Sequence, residues 1–195
     1  IPPPEELKSI TNKIGMKKIE IKKEKIILPK GVALDWGGVA KGFGIDLASK
    51  ALKEMGIKKG FINAGGDLSC WGKNPNNQPW QIGIKHPRQS GLFGVISIAG
   101  IGAATTGDYQ RFFILDGNRY HHVFDPKTGY PAKGKQSVTV IGPETIVCDA
   151  LSTALFVAFK SERILEKYPY YGAVFIDSSG IISFKGKDYP FRSLK

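Results

Sequence analysis

A carboxylate and a hydroxyl four residues apart are the first candidates for chemistry in this sequence. Asp149 and Thr153 stand at i and i+4 of an apolar run, residues 144–159, so on a helix their oxygens would share one face. A carboxylate in such surroundings is costly unless it is paired or coordinated. Together the two groups offer the hard oxygen ligands that suit Mg²⁺. The alternative is that this polar stripe is the solvent side of the helix, with Asp149 exposed.

A glycine pair and a lysine lie where another helix is expected to begin. Residues 34–42 (LDWGGVAKG) lead from an expected strand through Gly37 and Gly38 into a helix that starts near Val39. Free N–H groups and the positive end of the helix dipole favour an anion there, and Lys41 adds a full charge. This pattern predicts phosphate binding, although it matches neither a Walker A loop nor a dinucleotide fingerprint. A tight turn with a surface lysine is the alternative.

Two adjacent histidines, His121 and His122, precede Asp125 in the segment 120–129 (YHHVFDPKTG). Neighbouring residues on a strand point to opposite faces, so only one of the two can join a given site. Imidazole titrates near neutral pH, which suits a general base. The structural alternative is one exposed and one packed histidine before a turn. No Cys/His spacing in the sequence suits zinc.

Helices and an antiparallel sheet are expected to position these groups. The apolar residues Val39, Phe43, Leu47, Ala51 and Met55 recur every four positions and predict a helix that packs through that face. Further helices are predicted over 4–14, 144–159 and 161–168. Strands are predicted over 16–22, 25–28, 61–63, 68–71, 80–85, 93–99, 109–115, 119–124, 137–141, 172–177 and 181–184. The predicted fold class is α+β, with a mainly antiparallel sheet covered by two or three helices.

The composition fits one domain or two small lobes. With 42% hydrophobic and 23% charged residues the chain can bury an ordinary core, which excludes a disordered or fibrous protein. The net charge is +11, but the basic residues are scattered and lack interleaved aromatics, so no nucleic-acid partner is expected. Whether Cys70 and Cys148 pair is open. No apolar run approaches the roughly 20 residues of a membrane-spanning helix.

Five motifs occur in a characteristic order along the chain. They are LDWGGVAKGFGID (34–46), NAGGD (63–67), TTGDY (105–109), HVFDPKTGYPA (122–132) and DALSTA (149–154). Taken together they resemble the ApbE family, the FAD:protein FMN transferases. The likeness covers essentially the whole chain, which is then a single domain, residues 1–195, corresponding to the later part of a typical member. The expected full-length protein has an upstream portion that helps to enclose FAD.

The resemblance implies a Mg²⁺-dependent reaction in which FAD is split at its pyrophosphate. FMN passes to a Ser or Thr hydroxyl of an acceptor protein, and AMP leaves. His122 is implied as the catalytic base that deprotonates this hydroxyl, with His121 a spectator. Asp125 is expected either to orient His122 or to fix the turn.

The resemblance also implies two sets of binding residues. The flavin nucleotide is expected to contact Asp35, Lys41 and Val123. Mg²⁺ is expected to bind the side chains of Asp149 and Thr153 and the carbonyl of Gly38. Ser152 is a further candidate at the metal site.

The implied partners are FAD and an acceptor protein with a Ser/Thr flavinylation site, such as a subunit of a membrane redox complex. The expected location is the bacterial periplasm or the outer face of the cell membrane, with the full-length protein a lipoprotein anchored through its upstream segment. Two alternatives stay open: an FAD pyrophosphatase giving FMN and AMP, and a non-catalytic flavin-binding module.

Overall fold

The protein consists of short strands interrupted by two long helices. The structure is a computed structural model that describes residues 1–158 and 162–194. In chain order its elements are α1 (Pro4–Thr11), a 3₁₀ turn (Met16–Lys18), β1 (Glu20–Lys22), β2 (Lys25–Ile27), α2 (Ala40–Glu54), β3 (Gly60–Ala64), β4 (Asp67–Trp71), β5 (Trp80–Lys85), β6 (Leu92–Ile98), β7 (Gly102–Gly107), β8 (Phe112–Leu115), β9 (Asn118–His121), β10 (Lys135–Gly142), α3 (Thr145–Val157), α4 (Glu162–Leu165), β11 (Gly172–Asp177), β12 (Ile182–Gly186) and β13 (Phe191–Ser193).

A six-stranded sheet forms the centre of the fold. Its strand order is β12-β11-β10-β7-β4-β3, and every neighbouring pair is antiparallel. A three-stranded antiparallel sheet, β13-β6-β5, and two separate hairpins complete the strands. The predicted α+β class with a mainly antiparallel sheet is confirmed.

The central sheet is covered on both faces, so its inner strands β11, β10, β7 and β4 are almost wholly buried, whereas the edge strands β12 and β3 stay largely exposed. On one face α3 packs Leu155 and Phe156 against Val138 and Val140 of β10. The opposite face packs against the three-stranded sheet, with Ile141 among its core residues. A fully buried side chain of this size contributes roughly 1.5–3 kcal/mol. The first of these cores holds in place α3, one of the two helices that carry the candidate site residues.

The packed face of α2 differs from the predicted one. Phe43, Leu47 and Met55 are exposed, whereas the buried residues of the helix are Gly42, Ile45 and Ser49. The prediction was wrong because the helix approaches its neighbour through small residues. Periodicity alone favours a large apolar stripe and does not detect this close contact.

Gly42 sets how closely α2 approaches α3. A Cβ there would lie 2.5 Å from the carbonyl oxygen of Thr145 and 2.6 Å from Cα of Ile146. We therefore expect Gly42→Ala to lower the free energy of unfolding by on the order of 3 kcal/mol in urea titrations. Gly44→Ala is the control, because outside its own stretch of helix no atom of the described residues lies within 4 Å of its Cβ position. It should raise stability by up to about 1 kcal/mol, and equal effects of the two changes would contradict this packing.

Asp46 joins the same two helices at a second point. Its Oδ1 accepts a hydrogen bond from the Thr145 N–H at 3.0 Å, and its Oδ2 accepts one from the Ile146 N–H at 2.8 Å. Glu144, at the N-cap position of α3, makes no side-chain capping bond. A carboxylate at a helix N-terminus satisfies free N–H groups and interacts favourably with the dipole. A residue of α2 therefore caps α3.

Several predicted boundaries change. The first helix ends at Thr11, residues 16–18 form a 3₁₀ turn, and residues 28–36, directly before the glycine pair, contain no strand. β7 and β13 were not predicted at all. The predicted helix segments at Phe159 and Ser161 lie outside the described residues. Both cysteines are buried and free, and none of the described helices is long and apolar enough to cross a membrane.

Candidate functional site

A cavity of about 630 Å³ opens where the start of α2, the middle of α3 and the segment after β9 meet. Its wall contains all but one of the residues that the sequence resemblance singled out for catalysis, nucleotide contact or metal binding, the exception being Ser152: the wall residues are Asp35, Gly38, Lys41, His122, Val123, Asp149 and Thr153. These residues come from three distant parts of the chain. The fold therefore brings the predicted set together, while their individual roles stay predictions.

Asp149 is buried at the base of this cavity, with 2% of its surface exposed. Its Oδ2 accepts a hydrogen bond from the Gly42 N–H at 3.1 Å, and its Oδ1 lies 3.5 Å from the Lys41 Nζ. The alternative that Asp149 faces solvent is excluded. The first turn of α2 thus directs both an amide and an ammonium toward a carboxylate on α3.

Lys41 also forms an ion pair with Asp67, which sequence reasoning did not include among the site residues. Asp67 is 2% exposed and accepts a second hydrogen bond from the Thr105 N–H at 3.2 Å. Burial alone would lower the pKa of Lys41, but the hydrogen bond and charge of Asp67, with a smaller contribution from Asp149, raise this pKa above its ordinary value. Lys41 is therefore a permanent cation with a 46% exposed side chain beside the cavity.

Two buried carboxylates share this single ammonium, so the cluster of Asp67, Asp149 and Lys41 has a formal charge of −1 when both acids are ionised. Burial is the main influence on the Asp67 carboxyl and raises its pKa, and the charge of Asp149 adds to that rise. An additional cation would stabilise the ionised pair. The charge balance thus favours a positively charged ligand close to Asp149.

Thr153 supplies a hydroxyl next to this carboxylate. Its Oγ1 lies 3.1 Å from Oγ1 of Thr106, and Gly38 is close enough that a Cβ there would lie 3.6 Å from the Thr153 Oγ1. Ser152 lies behind the cavity wall, where its Oγ bonds Thr106 at 2.7 Å and donates to the Asp149 carbonyl at 2.9 Å. Ser152 thus supports the site from behind.

The residues present fit Mg²⁺. The donors are all oxygens: one carboxylate, one hydroxyl and the neighbouring Gly38 backbone. In residues 1–158 and 162–194 no group of three or more His, Cys, Asp or Glu side chains could enclose a metal. An ion at Asp149 would take further ligands from substrate phosphates and water, as Mg²⁺ commonly does.

The two histidines have opposite environments. His121 is buried; its Nδ1 accepts from the Val123 N–H at 3.3 Å, so its Nε2 carries the proton and donates to the Ala132 carbonyl at 2.9 Å. Burial lowers its pKa. Because both ring nitrogens are engaged, His121 has no lone pair for a substrate proton.

His122 is exposed and lines the cavity. Its Nδ1 lies 3.3 Å from the Arg111 carbonyl oxygen, which can only accept, so the proton of the neutral ring resides on Nδ1. The Nε2 lone pair remains available. This is the tautomer that a general base needs.

The remaining predicted residues have local structural roles as well. Asp35 accepts a hydrogen bond from the Gly37 N–H at 2.6 Å, which shapes the glycine turn. The Val123 carbonyl accepts from the Ala132 N–H at 2.9 Å. Asp125 fixes its turn, since its Oδ1 accepts from the Lys127 N–H at 2.8 Å. Of the two expectations for Asp125, the structure supports the turn.

Sequence reasoning missed Asp67, Thr106 and the Arg111 carbonyl. Asp67 and Thr106 lie within motifs that were noted, but nothing in their spacing indicated contact with Lys41 or Thr153. The carbonyl of Arg111 acts through the backbone, so no side-chain pattern could have identified it.

Two proteins of known name are similar to this chain in sequence. A relative from Haemophilus influenzae named FAD:protein FMN transferase is 38% identical over 165 residues, covering 80% of this chain and 48% of the relative. A relative of the same name from Rhodobacter capsulatus is 38% identical over 128 residues, covering 65% of this chain and 24% of the relative. The chain thus spans about half or less of these proteins.

Solved structures are similar to this chain as well. The crystal structure of the ApbE protein from Thermotoga maritima matches with a TM-score of 0.88 and 34% identity over 95% of this chain and 62% of that one. The flavin transferase ApbE from Vibrio cholerae matches with a TM-score of 0.82 and 27% identity over 96% and 62%. The sequence model of the ApbE family covers residues 1–175. The resemblance drawn from five short motifs is confirmed: the chain belongs to the ApbE family.

Proposed function

We propose that this chain forms the reaction site of an enzyme that transfers FMN from FAD to a Ser or Thr hydroxyl of an acceptor protein, in a Mg²⁺-dependent reaction that releases AMP. One observation carries the proposal: the candidate base, the candidate cation ligands and the lysine line the same cavity. The names of the relatives support the same activity.

His122 acts as the base in this reaction. Its Nε2 takes the proton of the acceptor hydroxyl, whose oxygen attacks the phosphorus on the FMN side of the diphosphate. The bond from that phosphorus to the bridging oxygen breaks, and AMP leaves with the bridging oxygen. A hydroxyl is a weak nucleophile until a base removes its proton. The Arg111 carbonyl holds the ring in the required tautomer.

Lys41 supplies fixed positive charge for the diphosphate. Its ammonium is anchored by Asp67 and lies beside the cavity, so no reorganisation is needed as negative charge moves onto AMP. Asp35 and Val123 contact the nucleotide from the cavity wall. Asp149, Thr153 and the Gly38 carbonyl would hold Mg²⁺, which when bound would supply further positive charge to the diphosphate.

FAD pyrophosphatase is the second candidate function. The His122 side chain is exposed, so water can reach the Nε2 that would otherwise meet the acceptor hydroxyl. Water would then replace the acceptor, and the products would be FMN and AMP.

Incubation with FAD, Mg²⁺ and an acceptor bearing a Ser/Thr flavinylation site should give a fluorescent, denaturation-stable acceptor band and an equal amount of AMP. The control is the same acceptor with its hydroxyl residue changed to alanine, which should stay unlabelled. AMP and FMN without a labelled band would identify a pyrophosphatase. Flavin binding without AMP would indicate a binding module, and either result would contradict the transferase.

A further inference from the structure

Asp67 is absent from the cavity wall, although it is the closest partner of the lysine that belongs to that wall. We propose that Asp67 is a positioning residue that holds the Lys41 ammonium away from Asp149, so that the Asp149 carboxylate stays available to a divalent cation. This inference rests on the proposed function. It assigns a task to a buried acid that touches neither the cavity nor the reacting atoms.

The Lys41 ammonium lies closer to Asp67 than to Asp149. Lys41 Nζ bonds Asp67 Oδ2 directly, whereas Asp149 Oδ1 lies 3.5 Å away, at the limit of a hydrogen bond. The second oxygen of Asp67 is fixed by the Thr105 N–H. Both oxygens of Asp67 are therefore engaged, and the Lys41 ammonium contacts Asp67 more closely than Asp149.

The turn before β4 aims Asp67 at this point. Gly65 and Gly66 have backbone φ angles of 66° and 106°, which residues other than glycine rarely adopt. The Gly66 N–H donates to the Asn63 Oδ1 at 3.0 Å. The run NAGGD thus places a carboxylate at the first residue of β4, beside the central strand β7. This gives the glycine turn of residues 63–67 a role that its sequence alone did not reveal.

Charge counting predicts what Asp67 contributes. The native cluster of two acids and one lysine has a charge of −1. In Asp67→Asn it becomes 0, and Asp149 is then the remaining described carboxylate within reach of the ammonium. The ammonium should shift to Asp149 and compete with the cation. In Lys41→Met the charge becomes −2 and no competitor remains.

Calorimetric titration with Mn²⁺ in the absence of FAD tests this. We expect Asp67→Asn to weaken Mn²⁺ binding on the order of tenfold and Lys41→Met to strengthen it. In the Lys41→Met background, Asp67→Asn should weaken binding by no more than about threefold, because its indirect effect through the ammonium is gone. Asp108→Asn is the matched control: it also removes the charge of a buried carboxylate, but that carboxylate pairs with Arg88, so Mn²⁺ affinity should change by less than about twofold.

Two results would overturn the inference. The first is an equal effect of Asp67→Asn in both backgrounds, which would mean that Asp67 acts on the cation directly. The second is absence of Mn²⁺ binding to the native chain at millimolar concentration, which would mean that Asp149 binds no divalent cation. Mn²⁺ binding is measured without turnover, so this test does not depend on the transferase proposal. If Mn²⁺ binding responds to Asp67 and Lys41 as expected but no flavin is transferred, the inference stands and the transferase proposal fails. Circular dichroism of each variant confirms that the fold is retained.

Discussion

Asp149→Asn should lower AMP release from FAD by at least about 100-fold and remove its dependence on Mg²⁺. The asparagine oxygen can still accept the Gly42 N–H bond, so the contact between α2 and α3 is kept while the negative charge is lost. Lys41 remains paired with Asp67, so no ammonium is left without a partner. AMP measured against a Mg²⁺ titration gives both quantities.

Glu54→Gln is the control for this change. Glu54 also lies on a helix that carries site residues, but its carboxylate is exposed and forms a surface ion pair with Lys50 at 3.8 Å. A surface pair of this kind contributes little, so activity and Mg²⁺ dependence should match the native protein. If Asp149→Asn kept the Mg²⁺ dependence of the native protein, Asp149 would not be a ligand of the metal.

His122→Ala should abolish flavin transfer, with a loss of roughly 10²–10⁴-fold, while FAD affinity changes by less than about threefold. The side chain is exposed, so its removal should alter the free energy of unfolding by no more than about 0.5 kcal/mol. Transfer is followed by acceptor-bound fluorescence and FAD affinity by flavin quenching. Loss of FAD binding instead would make His122 a nucleotide contact.

His121→Ala provides the complementary result on the neighbouring residue. It removes the hydrogen-bond partners of the buried Val123 N–H and Ala132 carbonyl, which should cost about 2–4 kcal/mol of stability. The two adjacent substitutions should therefore have different effects: His122→Ala should lower the rate of flavin transfer, and His121→Ala should lower the free energy of unfolding. A reversal of that pattern would exchange the roles of the two histidines.

Much of the fold could be predicted because the local pattern of apolar, polar and turn-forming residues indicates most helices and strands. The strand of residues 80–85 was placed with its observed bounds, and the helix of α3 began within one residue of its prediction. β7 could not be predicted, because its sequence GAATTG is poor in residues that favour strands. Its Gly102 is needed for packing: a Cβ there would lie 2.4 Å from the Thr145 Oγ1. Tertiary packing, rather than local preference, makes this segment a central strand.

The site was predictable where chemistry depends on residue type. Asp149, Thr153, Lys41 and His122 could be selected as candidate oxygen ligands, phosphate-binding cation and base before any fold was known; the structure groups them in one cavity, and their roles stay predictions. The choice between the two histidines came from the family motif, and the structure adds a physical reason in the engaged nitrogens of His121. Asp67 could not be selected, because its contact with Lys41 joins residues 26 positions apart.

The two ties between α2 and α3, from Gly42 to Asp149 and from Asp46 to the first amides of α3, lie about one helical turn apart. Two separated anchor points prevent one helix from sliding or rolling against the other, so both move as a rigid body. Lys41 and Asp149 thus keep their mutual register when surrounding loops move. Loss of the Asp46 carboxylate, which is not part of the cavity wall, should therefore misalign Lys41 and Asp149 before it unfolds the protein.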